Sequence, residues 1–148
     1  MQSSTPAIQI SPKDLNYNTE AARGCMEFLL TREDETTIKK ILDVRYGLGS
    51  WATAACELFP SARLEGYELD SQTYRRAVKP NRSKVVCGRY EGRNEAWDLV
   101  LADFNYSTCL RRRDLDNLLS TIRTRWIIFP DVACAKSHMT YASYGLAS

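Results

Sequence analysis

The residues best suited to chemistry fall in three short stretches. In DVRYGLGSW, from Asp43 to Trp51, an acidic residue closes an apolar run, and Gly47 and Gly49 follow at a spacing of two. Such glycines let the backbone turn tightly and come close to a ligand, while the free N–H groups at the start of a following helix offer donors to an acceptor. A glycine would ordinarily stand where this chain has Arg45. Glu68 comes nineteen residues after Gly49. A carboxylate there can accept both hydroxyls of an adenosine ribose, as in dinucleotide sites. The third stretch, Asp103-Phe104-Asn105-Tyr106, joins a carboxylate and an amide to two aromatic rings. Asp103 and Asn105 could orient a planar amine, and Tyr106 or Phe104 could stack on a flipped or single-stranded base.

The elements that must position these residues can be read from periodicity. Residues 1–17 are Ser/Thr/Pro-rich and read as an irregular arm, with the domain proper over 18–148. Ala22, Cys25, Met26 and Leu29 repeat at helical spacing, which predicts a helix from Asn18 or Thr19 to about Leu30. Strands are expected over Ile38 to Val44, Arg63 to Glu68, Lys84 to Cys87, Trp97 to Ala102 and Trp126 to Phe129. Between them fall helices over Ser50 to Phe59, Ser71 to Val78 and about Arg113 to Ile122. Four of the five strands are nearly unbroken apolar runs, the mark of a parallel sheet covered on both faces. The alternation predicts an α/β three-layer sandwich with a Rossmann-like, mostly parallel sheet. Ligands of such sheets sit beyond the C-terminal strand ends, where all three stretches fall.

On these residues the chain resembles the class I S-adenosylmethionine-dependent methyltransferases. ILDVRYGLGSW is similar to their first motif, LEGYELD to the second and WDLVLADFNY to the fourth, over roughly residues 38–130. The resemblance implies S-adenosylmethionine as cofactor. Asp43 would lie near its amino group, the Gly47 and Gly49 backbone beside its methionine part and ribose, and Glu68 on the ribose hydroxyls. Tyr67 or Leu69 would flank the adenine, and Arg89 stands where an adenine contact is often found. Asp103, Asn105 and Tyr106 would form the catalytic face. The implied activity is methyl transfer to a nitrogen of a nucleic acid or small molecule; the alternative is a catalytically inactive domain with a binding or assembly role. Methyl transfer from a sulfonium asks chiefly for alignment of a nucleophile's lone pair with the methyl group.

Two departures from the family pattern carry expectations of their own. Arg45 brings a guanidinium that must be answered by Asp43, by Asp103 or by a ligand carboxylate. Pairing with the protein's own carboxylates is the favoured expectation, under which Arg45→Gly should strengthen donor binding. The second departure is length: 18 residues follow Pro130, so the sheet is expected to be truncated after its fifth strand. An exposed edge of that kind predicts a homodimer, with the tail MTYASYGL as interface material.

Composition bounds the rest. Hydrophobic residues make up 44% and charged residues 26% of the 148, and 20 basic against 18 acidic side chains leave a net charge of +2. That is ordinary globular composition, and the net charge alone does not imply a nucleic-acid partner. Cys25, Cys56, Cys87, Cys109 and Cys134 form no CxxC pair and read as buried free thiols. His138 is the single histidine and lacks partners at ligand spacing, so no metal is expected. Neither a signal peptide nor an 18-residue apolar run is visible, which predicts a cytoplasmic protein without membrane contact.

Overall fold

Proline is well placed at the first position of a helix, where its missing N–H would have no partner and its fixed φ suits the turn. Pro12 takes that position in α1 (Pro12–Leu30). The helix therefore starts earlier than the apolar repeat alone predicts, and residues 12–17 are helical rather than part of an irregular arm. The computed structural model describes residues 12–92, 95–103 and 120–128, with side chains from Thr19 onward. Ala22, Cys25, Met26 and Leu29 are buried, as their spacing requires.

After a 3-10 turn (Glu35–Thr37) come β1 (Lys40–Asp43), α2 (Ser50–Leu58), β2 (Arg63–Glu68), α3 (Ser71–Arg76), β3 (Ser83–Cys87), β4 (Ala96–Leu101) and β5 (Arg123–Ile128). All pairings are parallel and the strand order is β3-β2-β1-β4-β5. The order reverses between β1 and β4. Ile41, Leu64, Leu99, Leu101 and Ile128 pack on one face beneath α1 and α2. On the other, Leu42, Val100 and Ile127 meet Tyr67, Tyr90, Trp97 and Ile122. Alternate residues of each strand thus serve two cores, which explains the unbroken apolar runs. Ser120 and Thr121 are helical; the remainder of the helix expected from Arg113 lies outside the described residues.

The end of the sheet away from the candidate site is tied by charge. Glu33, just past α1, accepts hydrogen bonds from Trp126 Nε1 and from Thr37 Oγ1 at 2.8 Å, and pairs with Arg125 at 2.7 Å. Burial alone would raise its pKa, but these bonds and the Arg125 charge hold it below the usual carboxylate value. Asp98 accepts the N–H groups of Lys39 (2.8 Å) and Lys40 (2.9 Å), fixing the entry to β1. β5 begins three residues before its apolar part because Arg123 and Thr124 pair with Ala96 and Trp97 of β4, while Arg123 and Arg125 remain exposed.

Cys25 and Cys56 are buried free thiols, the former pushed up to about 11 by burial, whereas Cys87 is exposed at the end of β3. That exposure corrects the expectation for Cys87: as an outer strand, β3 has no neighbour on one side among the described residues. No helix among the described residues is long and apolar enough to cross a membrane.

Candidate cofactor crevice

The strand order reverses between β1 and β4, and sheets of this kind take ligands in the crevice beyond the C-terminal strand ends at that point. Asp43 ends β1 in register with Leu101, and Asp103 follows two residues later on the neighbouring strand. Glu68 ends β2, on the other side of β1. The fold therefore brings Asp43, Glu68 and Asp103 to one end of three adjacent strands.

Asp43 is 1% exposed. Its Oδ1 accepts the Arg45 N–H at 3.2 Å, and its Oδ2 has no partner. Burial, and then the charges of Asp103 and Glu68, push its pKa well above the usual carboxylate value against the pull of the Arg45 N–H and guanidinium. Among the described residues, only Asp43 Oδ2 and Trp51 Nε1 are buried side-chain polar atoms without a partner. Both flank the glycine turn. An unsatisfied carboxylate oxygen there is the donor-seeking group that an ammonium would satisfy.

The turn itself divides into two jobs. Gly47 has φ +61 and open space where a side chain would stand, so a ligand can come close to its backbone. Gly49, at φ +96, faces Val78 O and the Tyr46 ring, where any Cβ would lie far inside contact distance. Its freedom serves packing at the start of α2. Arg45 has no positive φ. The backbone at that position accepts a side chain without strain.

Tyr46 was not anticipated from the sequence. It is 3% exposed, its hydroxyl donates to Val78 O at 2.5 Å, and its ring lies against Gly66 of β2, which has room for no Cβ. Burial, with the Asp43 charge adding to it, pushes its phenol pKa up. A glycine inside the strand RLEGYE was the available signal, since such a glycine often marks a close approach.

Glu68, 4% exposed, bridges the turn and the second strand: Oε1 accepts Gly47 N–H at 2.8 Å and Oε2 accepts Asp70 N–H at 2.9 Å. Each oxygen retains a second acceptor position. Asp70 in turn caps α3 through Thr73 N–H at 2.8 Å. Tyr67 packs edge-on to Tyr90 in the second core and bonds Glu65, while Leu69 is 58% exposed. Of the two expected adenine neighbours, only Leu69 faces solvent beside the crevice. Leu48 and Val78 are also exposed and adjoin one another, Val78 N–H donating to Leu48 O at 2.9 Å. Leu48 and Val78 were not among the residues expected from the sequence to meet a ligand.

Arg45 is half-buried, and its backbone N–H meets Asp43. Among the described residues, no carboxylate pairs with its guanidinium. Asp43 is met by the Arg45 backbone N–H, and the guanidinium acts on it through charge without forming a close ion pair. Asn105, Tyr106, His138 and the MTYASYGL tail lie outside the described residues, as does the expected truncation of the sheet. No metal-holding group of His, Cys, Asp or Glu occurs among the described residues.

Solved structures share this fold. A S-adenosylmethionine-dependent methyltransferase from Clostridium acetobutylicum superposes with a TM-score of 0.55 at 15% identity, over 75% of this chain and 49% of that one. The plantazolicin methyltransferase BpumL, solved with a desmethylPZN analog and SAH, gives 0.51 at 16% identity, over 91% and 60%. The chain has the Rossmann-like fold of class I methyltransferases. The same fold also matches a probable spermidine synthase from Corynebacterium glutamicum, at 0.51 and 16% identity over 67% and 39%. The likeness therefore fixes architecture and not reaction. This chain spans about half the length of the first of these proteins. No family model and no curated protein matches the sequence.

Proposed function

We propose that the chain binds S-adenosylmethionine in this crevice and presents its methyl group to a nitrogen of a nucleic acid or small molecule. The observation that carries the reading is Asp43 Oδ2, a buried acceptor without a partner beside an open glycine turn. Asp43 would accept the ammonium of the methionine part, and the Gly47 backbone would lie along it. Glu68 would use its remaining acceptor positions for the ribose hydroxyls, with Leu69 beside the adenine. Asp103, at the end of β4, would orient the acceptor amine, with Asn105 and Tyr106 completing that face. The sulfonium supplies an activated methyl group when bound; the protein's part is alignment and exclusion of water.

Arg45 belongs to this reading as the partner of the ligand carboxylate, since no described protein carboxylate takes that role. A charge-assisted hydrogen bond contributes about 1.5–3 kcal/mol. Arg45→Gly is therefore expected to weaken S-adenosylmethionine at least tenfold in a calorimetric titration, the reverse of what pairing within the protein would give.

The second reading is a catalytically silent domain. It is favoured by Glu68, whose two oxygens already accept backbone N–H groups, so that the site is braced without a ligand. Equal or tighter donor binding by Arg45→Gly supports this reading and counts against the first.

Homodimerisation is also part of the proposal. A monomer in sedimentation at tens of micromolar would count against it. A soluble protein acting in the cytoplasm completes the reading; fractionation of the source cells tests the compartment.

A further inference from the structure

The charge of this chain is nearly balanced as a whole and strongly segregated locally. Residues 71–90 carry six cations, Arg75, Arg76, Lys79, Arg82, Lys84 and Arg89, and no acidic side chain. The other 128 residues hold 14 basic and 18 acidic side chains, a net charge of −4. The cationic segment forms α3, the following loop, β3 and the turn after it, and β3 is an outer strand of the described sheet. All six side chains are exposed. Lys79 and Arg82 bond backbone carbonyls of Tyr74, Pro60 and Cys56. Among the described residues, Arg75, Arg76, Lys84 and Arg89 form no ion pair.

We infer that the α3–β3 edge is a docking surface for the phosphate backbone of a single-stranded nucleic acid. From Lys84 to the end of β3 at Cys87 the chain advances roughly 10 Å at about 3.3 Å per strand residue, and Arg89 stands two residues further on. That is a linear track rather than a point. Four of the six cations are arginines, whose planar fork suits phosphate oxygens. An anionic membrane is the weaker partner for this shape: interfacial binding favours one amphipathic helix with a broad apolar face, and α3 has only six residues. Arg89 leaves β3 at the sheet end that holds Glu68 and Asp43, so a strand following the edge is led toward the crevice. A bare protective function, cations that keep the outer strand from pairing with another sheet, needs no such alignment with the crevice.

The test uses the full chain without methyl donor, so its result is separate from that of the donor site. Fluorescence anisotropy with a labelled 20-nucleotide single strand is expected to show saturable binding. Its logarithmic dependence on salt should have a slope of about −3, from four phosphates at about 0.7 each. Lys84→Glu with Arg89→Glu should weaken binding at least tenfold and reduce the slope by about 1.4. Arg32→Glu with Lys39→Glu, an equal charge change at exposed sites elsewhere, should shift it less than threefold. Thermal melts check that each variant folds, and Lys84→Gln with Arg89→Gln replaces the charge reversal if that variant does not. Absence of binding by the wild type, equal loss in both double variants, or binding to vesicles of 30% anionic lipid in place of the oligonucleotide would each overturn the inference.

Discussion

Asp43→Asn is expected to yield a protein that is more stable at neutral pH and a poorer binder of a cationic ligand. The wild-type carboxylate is buried with Oδ2 unpartnered and Glu68 and Asp103 nearby, so ionising it in the folded state is unfavourable. Asparagine keeps an oxygen for the Arg45 N–H and removes the charge. The gain should be about 1–2 kcal/mol, the size typical of relieving a strained functional site. Its pH dependence has a definite sign. The folded pKa lies above the unfolded value near 3.8, so the native state binds the proton more tightly. Stability from this group is fully present below that value and is lost as pH rises toward the folded pKa. The two proteins should therefore differ most at pH 8 and converge toward pH 4 in urea titrations. A less stable Asp43→Asn at pH 8 would show that the carboxylate is held by interactions beyond the Arg45 N–H.

Gly66→Ala is expected to lose stability, since the added Cβ would enter the Tyr46 ring. Overpacking of that kind costs about 1–3 kcal/mol, and the ring is held by its hydroxyl on Val78 O, which limits its retreat. Tyr46→Ala should cost about 3–5 kcal/mol through the cavity it leaves. The double variant should lose about 2 kcal/mol less than the sum, because the alanine at 66 then projects into space the ring has vacated. Additivity within about 0.5 kcal/mol in denaturant melts would mean that the two positions do not share that space.

How far the sequence reveals this architecture depends on which force places each element. Strands buried on both faces announce themselves as apolar runs, and β4 (Ala96–Leu101) lies within one residue of the expected Trp97 to Ala102. Elements fixed by backbone chemistry or charge are less visible. The start of α1 is set by Pro12 and not by apolar spacing, and the start of β5 by pairing of a solvated RTR segment with β4. In the crevice, Asp43 and Glu68 stand out because acidic residues at strand ends are unusual. Tyr46 reads as a turn residue until the fold shows it inserted against Gly66: the glycine inside RLEGYE marks a close approach but not the residue that makes it. Arg45 was legible as a departure but not in its consequence, because whether a side chain or a backbone N–H reaches Asp43 depends on how the turn is wound.

The most direct measurement is a calorimetric titration of the full chain with S-adenosylmethionine, run beside Glu68→Ala. Glu68 is the carboxylate that joins the Gly47 N–H to the expected ribose position. The expected result is saturable one-to-one binding by the wild type, weakened at least tenfold in a variant whose melt shows it folded. Absence of binding by folded wild-type protein at millimolar donor, or unchanged affinity in folded Glu68→Ala, would contradict the assignment of this crevice as a cofactor site.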